Sequence, residues 1–387
     1  MTPGARVQAA IDLLDEILAG APAERALTGW ARRSRFAGSK DRAAVRDHVF
    51  QALRCRRSYA CLGGAETGRG LMLGALRAEG GDPDTVYSGQ GHAPAPLSEA
   101  ERDGGAAPRA DGERLDLPDW MLPLFQEALG DEAEAAALAL RQRAPVMLRV
   151  NLRMKNADQA IEILSKDGII ATPSALASSA LRVSEGARRV AGSEAYKRGL
   201  VELQDGSSQA AMEALEIPTS ARVLDYCAGG GGKVLALAAR CEAQWFAHDA
   251  DAARMADLPV RAGRAGIEVT CLTGADVAAN GPYDLVLCDA PCSGSGTWRR
   301  APEAKWRLTP ARLAELCAIQ AEILDIAQGL VAPDGQLAYA TCSVFRAEND
   351  AQSEAFVQRH RGWNERLRRR WPVGADGDGF YLSVFGQ

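Results

Sequence analysis

Apolar positions recur at helical spacing from the start of the chain. Val7, Ile11, Leu14, Ile17 and Leu18 share one face of a helix through residues 7–18. Ser39, a favoured N-cap, precedes KDRAAVRDHVFQALR, where Val45, Val49, Ala52 and Leu53 keep the same period. Residues 1–78 therefore predict an all-α unit. The period lapses over 79–118, where GGDPD, GQGHAPAP and DGGAAPRADGE predict a linker or irregular segment with one short helix after Ser98. Helical spacing returns over 119–143. PVMLRVNL then reads as a strand, NADQAIEILSKDG as a helix stopped by glycine, and IIATPS and ALRVSEG as short strands. Residues 119–204 thus predict a small α+β module.

From Arg222 the pattern alternates between strand and helix. ARVLDYC, AQWFAHD, IEVTCL, YDLVLCDAP and GQLAYATCS are the expected strands, with a long helix over 310–331. This alternation predicts an α/β domain over 205–387, with a mostly parallel sheet covered on both faces. Such folds bind ligands at the carboxyl ends of their strands, and the chemically informative residues all fall there.

The first strand of that domain runs into Gly229, Gly230, Gly231 and Gly232 and then a helix. Glycines let backbone approach a ligand closely, and the helix start offers free N–H groups. A glycine-rich turn alone does not separate a dinucleotide from S-adenosylmethionine. Asp249 ends the next strand about 20 residues on, where a carboxylate can accept both ribose hydroxyls or cap the following helix. Asp276 follows the third strand, near where an adenine would lie. Lys233 is followed by Val234 and not by Ser or Thr, so the turn is not a P-loop.

The last two strands end in CDAPCSGSGTWRRAPEAKW and YATCSVFRAEND. Cys292 and Cys342 lie in Gly/Ser/Thr-rich loops beyond neighbouring strands, and so face one pocket. Paired thiols there suit methylation of cytosine at carbon 5. A thiolate adding to carbon 6 makes carbon 5 an enamine nucleophile. Asp289 is placed to act as an acid at ring nitrogen 3. Cys227, Cys241, Cys271, Cys288 and Cys317 read as small buried residues when taken alone.

The formal net charge of −5 gives no general attraction to nucleic acid, so charge distribution decides. Residues 22–60 hold ten Arg or Lys against three Asp or Glu, and RHRGWNERLRRR at 359–370 is a second basic cluster. Each suits either RNA or a solvated helix face. The nine cysteines form no C-x-x-C pair, so no metal site is expected. No apolar run of about 18 residues occurs, so no membrane span is expected. The first residues lack the pattern of a signal peptide, so a cytoplasmic protein, and by default a monomer, is expected.

On DAPCSGSGTWRRAPEAKW and YATCSVFRAEN, with LRVN, VELQDGSSQ and GDGFYLSVF in order, residues 119–387 resemble the RsmB/Sun-type RNA 5-methylcytosine methyltransferases. The resemblance implies a Rossmann-like class I methyltransferase domain with a seven-stranded sheet, preceded by a small RNA-binding subdomain. It implies S-adenosylmethionine as cofactor, Cys342 as nucleophile, Cys292 aiding release of product, and Asp289 and Lys233 in the catalytic site. Cys227, Ala228, Gly229, Gly231, Gly232, Lys233, Asp249, Arg254, Asp276 and Asp289 would line the cofactor site. Where the family usually has proline this chain has Gly230, which implies a more flexible turn. The helical N-terminal unit is only loosely similar to the antiterminator-like domain of some members.

Ribosomal RNA is the expected partner, with transfer RNA as an alternative. Arg299, Arg300, Lys305 and Arg307 are the expected phosphate contacts, and Trp298 or Trp306 a stacking platform or core. A nicotinamide-type oxidoreductase would leave the paired cysteines without a role. A non-catalytic RNA-binding assembly factor would not need Cys292, Cys342 and Asp289 together. Thiol-based DNA methylation commonly resembles a Pro-Cys motif alone, whereas both Pro291-Cys292 and Thr341-Cys342 occur here.

Overall fold

A computed structural model describes all 387 residues, which pack as two compact units. The first comprises Met1–Arg143 with Trp298–Arg307; the second comprises Ala144–Thr297 with Leu308–Gln387. No helix is long and apolar enough to cross a membrane.

The first unit is built on helices Pro3–Leu18, Ala23–Arg33, Ser39–Arg54, Arg56–Gly63 and Gly68–Ala78. The expected stripes meet in one core: Leu14, Val45, Val49, Leu71 and Leu73 are fully buried. Ser39 is the first helical residue and not the cap. The capping position is Gly38, whose N–H is accepted by Asp41 at 3.2 Å. The segment expected as a linker is packed into this unit. Tyr87, Leu97 and Leu117 are buried, and Asp116, buried at φ 52°, accepts from Ser58 N–H at 2.9 Å and pairs with Arg141 at 2.8 Å. The helix expected after Ser98 forms as Glu99–Asp103, with Ser98 and Glu101 capping each other. Helices Leu122–Leu129 and Ala133–Leu140 also belong to the first unit, so its boundary with the second falls at 143/144.

The second unit opens with β1 Val146–Val150, β2 Ile170–Pro173, β3 Ala180–Glu185 and β4 Val201–Leu203. They form an antiparallel sheet in the order β2-β3-β1-β4. Helix Ala157–Lys166, capped by Asn156 and Gln159, contributes Ala160 and Leu164 to its core. The larger sheet contains β5 Arg222–Asp225, β6 Gln244–Ala247, β7 Thr270–Cys271, β8 Tyr283–Asp289, β9 Val331–Thr341, β10 Asn364–Trp371 and β11 Phe380–Gly386. Its order is β10-β11-β9-β8-β5-β6-β7. β5 to β9 run parallel, and β11 and β10 extend the sheet antiparallel beyond β9.

Strand order reverses between β5 and β8, because the chain goes from β5 outward to β7 before crossing to β8. That crevice is where an open α/β sheet leaves room for a ligand. The basic cluster at 359–370 is mostly the edge strand β10. Arg368 pairs there with Asp350 at 3.0 Å and Glu365 at 2.6 Å, and Arg370 also meets Asp350. Charge on an edge strand blocks pairing with other chains. Of the cysteines expected to be buried, Cys271 is exposed, because β7 is a two-residue strand at the sheet edge.

Candidate functional site

The glycine turn after β5 needs to be free of side chains. Gly229 and Gly231 have φ of 51° and 77°, a region that disfavours other residues. A Cβ on Gly231 would lie 2.2 Å from Leu258, and one on Gly229 would lie 3.1 Å from Arg254. Asp249, just beyond β6 and buried, reaches back to this turn. It accepts from Gly229 N–H at 2.8 Å and Asp251 N–H at 3.0 Å, and pairs with Arg254 at 3.1 Å. The capping role foreseen for Asp249 falls to Asp251, which accepts from Ala253 N–H. A carboxylate acceptor held beside a Cβ-free turn fits the hydroxyls of a nucleoside cofactor's ribose. Asp276 is exposed near the start of helix Gly274–Ala279, where its carboxylate accepts from Thr273 Oγ1 at 2.5 Å.

Gly230, where the sequence implied a looser turn, is held in place. Its carbonyl accepts from Arg261, which pairs with the buried Glu202 of β4 at 2.9 Å. The next carbonyl but one, Gly232, accepts from Arg149 of β1 at 2.8 Å and from Gln204 at 3.1 Å. Burial lowers the pKa of Arg149 to about 10, well above neutrality, so its charge persists. The small sheet therefore clamps the glycine turn. Sequence reading missed Arg149, Gln204 and Glu202 as functional; LRVN and VELQ contain all three.

Two sulfurs meet beyond β8 and β9: Cys292 Sγ lies 3.5 Å from Cys342 Sγ. Cys342 has its pKa lowered, first by the hydrogen bond from Cys292, against desolvation by burial and repulsion from Asp289, with Lys233 and Thr297 helping. Cys292 is pushed well up, by that same hydrogen bond and then by burial. The pair thus favours Cys342 over Cys292 as the sulfur that ionises first, and the thiolate is the form of cysteine that attacks carbon.

Glu348 fixes the two cysteine loops together. Fully buried, it accepts from Ser293 N–H at 2.7 Å, Ser293 Oγ at 2.5 Å, Ser343 Oγ at 2.5 Å and Gln320 Nε2 at 3.1 Å. Ser295 Oγ accepts from Val344 N–H at 2.8 Å, and Cys342 O accepts from Gly296 N–H at 2.9 Å. Thr341 Oγ1 donates to Asn349, which donates to Ser343 O at 2.9 Å. Each loop presents one sulfur, and hydrogen bonds within and between the loops hold both in place. The sequence showed these residues only as part of a motif.

Lys233, in the first turn of helix Gly232–Ala238, donates to Asp289 at the end of β8. Burial works against the ammonium, yet Asp289 holds its pKa above the usual lysine value. In this pair Asp289 accepts and Lys233 donates. Beneath them lies Asp225, fully buried, which accepts from Val234 N–H at 3.1 Å and leaves Oδ1 without a partner. Burial first, then repulsion from Asp289, raises its pKa to about 7. Cys227 and Cys288 are held up by burial and remain thiols.

The expected RNA contacts are not gathered here. Arg299, Lys305 and Trp298 are almost fully buried in the first unit. Arg54 Nε donates to Arg299 O at 2.7 Å, Lys305 Nζ to Arg54 O at 3.1 Å, and Trp306 Nε1 to Leu53 O at 2.7 Å. Burial lowers the pKa of Lys305 to about 8. These groups anchor residues 298–307 and offer no phosphate contact; Trp298 packs 6.2 Å from Phe125 and is core. Arg300 and Arg307 are exposed, Arg307 donating to Gly20 O at 3.0 Å. No group of three His, Cys, Asp or Glu side chains stands close enough to hold a metal ion.

Residues 212–385 match the family described as 16S rRNA methyltransferase RsmB/F, and residues 117–189 match the ferredoxin-like domain of the same RsmF/B group. The chain is 35% identical over 271 residues to a ribosomal RNA small subunit methyltransferase B of Xanthomonas campestris, covering 68% of this chain and 61% of that protein. It is 33% identical over 280 residues to the protein of that name from Escherichia coli, covering 69% of this chain and 65% of the other. The matched stretch is thus under two thirds of either relative. A crystal structure of a protein named PH0851 superposes with a TM-score of 0.78 at 23% identity, covering 100% of this chain and 99% of that one, which establishes the fold.

Proposed function

Because the chain belongs to the RsmB/F methyltransferase family, we propose that it transfers a methyl group from S-adenosylmethionine to carbon 5 of a cytosine in small-subunit ribosomal RNA. The observation that carries this reading is the thiol pair, Cys342 Sγ 3.5 Å from Cys292 Sγ, beyond the carboxyl ends of the neighbouring parallel strands β8 and β9.

The Gly229–Gly232 turn, Asp249 and Arg254 would hold the cofactor, with Asp276 at the rim. When bound, S-adenosylmethionine supplies an electrophilic methyl group. Cys342 thiolate adds to carbon 6 of the ring, and the electron pair displaced onto the ring makes carbon 5 nucleophilic. The Lys233–Asp289 pair meets the polar edge of the base. The carboxylate accepts from the exocyclic amine, and the ammonium offsets the negative charge that develops at nitrogen 3 and oxygen 2.

After methyl transfer the proton on carbon 5 must leave before Cys342 can be eliminated. Bonding of Cys342 to carbon removes the hydrogen bond and the charge that kept Cys292 protonated. Cys292 therefore gives its proton to solvent more readily once the adduct exists; its thiolate takes the carbon 5 proton, the electrons of that C–H bond re-form the C5–C6 double bond, and the C6–S bond breaks with its electron pair returning to Cys342. The target cytosine must be unpaired or flipped to reach Cys342.

The test is transfer of labelled methyl to deproteinised small-subunit RNA, followed by nucleoside analysis. Label in 5-methylcytidine is expected. Label in any other nucleoside, or in transfer RNA alone, overturns the reading of the reaction or of the substrate.

A further inference from the structure

The basic segment at 22–60 has no role in the chemistry above, and its charges are not equivalent. All three of its acids are already paired: Glu24 with Arg46, Asp41 with Arg6 and the N-terminal amine, and Asp47 with Arg143. Arg25, Arg32, Arg33, Arg35 and Lys40 are exposed and have no acidic partner. Helix Ala23–Arg33 and the turn that follows it thus keep an uncompensated positive surface.

Arg32, Arg35 and Arg42 line one open cleft of about 660 Å³ together with Thr28 and Ala31. Next to Arg35 stands Phe36, 76% exposed, the most exposed large apolar side chain of the protein. Its turn is fixed from below. Ser34 and Ala37 are buried, Ser34 N–H donates to Trp30 O at 2.8 Å, and Arg42 Nε donates to Ala37 O at 2.9 Å. Phe36 and the half-buried Trp30 line a second cleft of about 550 Å³, whose other side carries Ala5, Ala9 and Asp12. An aromatic face held out beside a cluster of guanidinium groups combines the two elements that bind a single strand: stacking for a base and cations for its phosphates.

The geometry points to a single-stranded RNA site on the first unit, with one base stacked on Phe36 and adjacent phosphates held by Arg32, Arg35 and Arg42. The site lies outside the catalytic chemistry and needs no cytosine. It therefore extends recognition to a second segment of the substrate.

The test uses the full chain and a fluorescent oligouridine of about twelve nucleotides, within the usual span of single-strand sites. The probe carries 4-thiouridine for photocrosslinking and lacks any methylatable cytosine. The crosslink is expected on the peptide containing Phe36. Arg32→Gln/Arg35→Gln/Arg42→Gln should weaken binding about tenfold and flatten the salt dependence by about two, since each single-strand phosphate contact contributes about 0.7 to that slope. Phe36→Ala should weaken binding roughly fivefold or more without changing the slope, and Phe36→Trp should restore it. A crosslink confined to the second unit, or affinities unchanged in both variants, overturns the proposal. So does poly-glutamate binding this face as tightly as the RNA, which would assign it to an acidic protein.

Discussion

Cys342 and Cys292 are pushed in opposite directions by one contact, and the hydrogen bond with Cys292 is the largest influence favouring ionisation of Cys342. Cys292→Ala should therefore shift the pH profile of Cys342 alkylation upward from its position below 9 toward that of an ordinary cysteine. Iodoacetamide labelling read by mass spectrometry measures this; superimposable profiles contradict it. Asp225 gives a second titration. Its folded pKa of about 7 stands above the roughly 3.9 of an unfolded aspartate. The folded state therefore binds more protons between those values, and this group's contribution to stability falls as pH rises from about 4 to 7. Asp225→Asn should flatten that fall in urea denaturation curves; an unchanged slope contradicts it. Cys292, Cys342, Asp289 and Asp249 stood out because they lie at or just beyond the carboxyl ends of strands. Asp225 and Glu348 were not, because their roles depend on burial, which a single strand or loop does not reveal.

Among the elements, the glycine turn and the paired cysteine loops are the most demanding. Gly231→Ala places a Cβ against Leu258 at φ 77°, so it should cost about 1–2 kcal/mol from backbone strain alone. It should also weaken S-adenosylmethionine binding. Thermal unfolding and calorimetric titration check both, and an unaltered affinity contradicts the place of the turn in the cofactor site. Glu348→Ala orphans buried donors on both loops, at about 1–3 kcal/mol for each one left unsatisfied. Strands β5, β6, β8 and β9 were readable from their apolar runs, as parallel strands buried on both faces should be. IEVTCL shrank to Thr270–Cys271 because only two residues find a partner in β6. β10 was hidden because NERLRRRW has no apolar alternation; its neighbour β11, not its own pattern, makes it a strand.

On the scale of the whole molecule, the stretch 298–307 leaves the second unit and becomes part of the helical one. Sequence reading saw a run of cations beside a catalytic motif and assigned them to phosphate. Their burial follows from partners more than 240 residues away, such as Arg54 O for Lys305, and no local pattern carries that information. The packed segment at 79–118 was obscured similarly: its few apolar residues, Tyr87, Leu97 and Leu117, lack a period but each finds a core position. Trp298→Ala should destabilise the first unit by about 3–5 kcal/mol, seen as an earlier denaturation of its helical signal.

The proposed two-thiol chemistry is tested most directly by mixing cysteine variants with small-subunit RNA and S-adenosylmethionine and resolving the products on a denaturing gel. Cys292→Ala should accumulate a covalent protein–RNA species that wild type turns over, while Cys342→Ala and the double variant should form none. An adduct that survives Cys342→Ala, or a Cys292→Ala protein that turns over like wild type without one, would contradict the assignment of nucleophile and base.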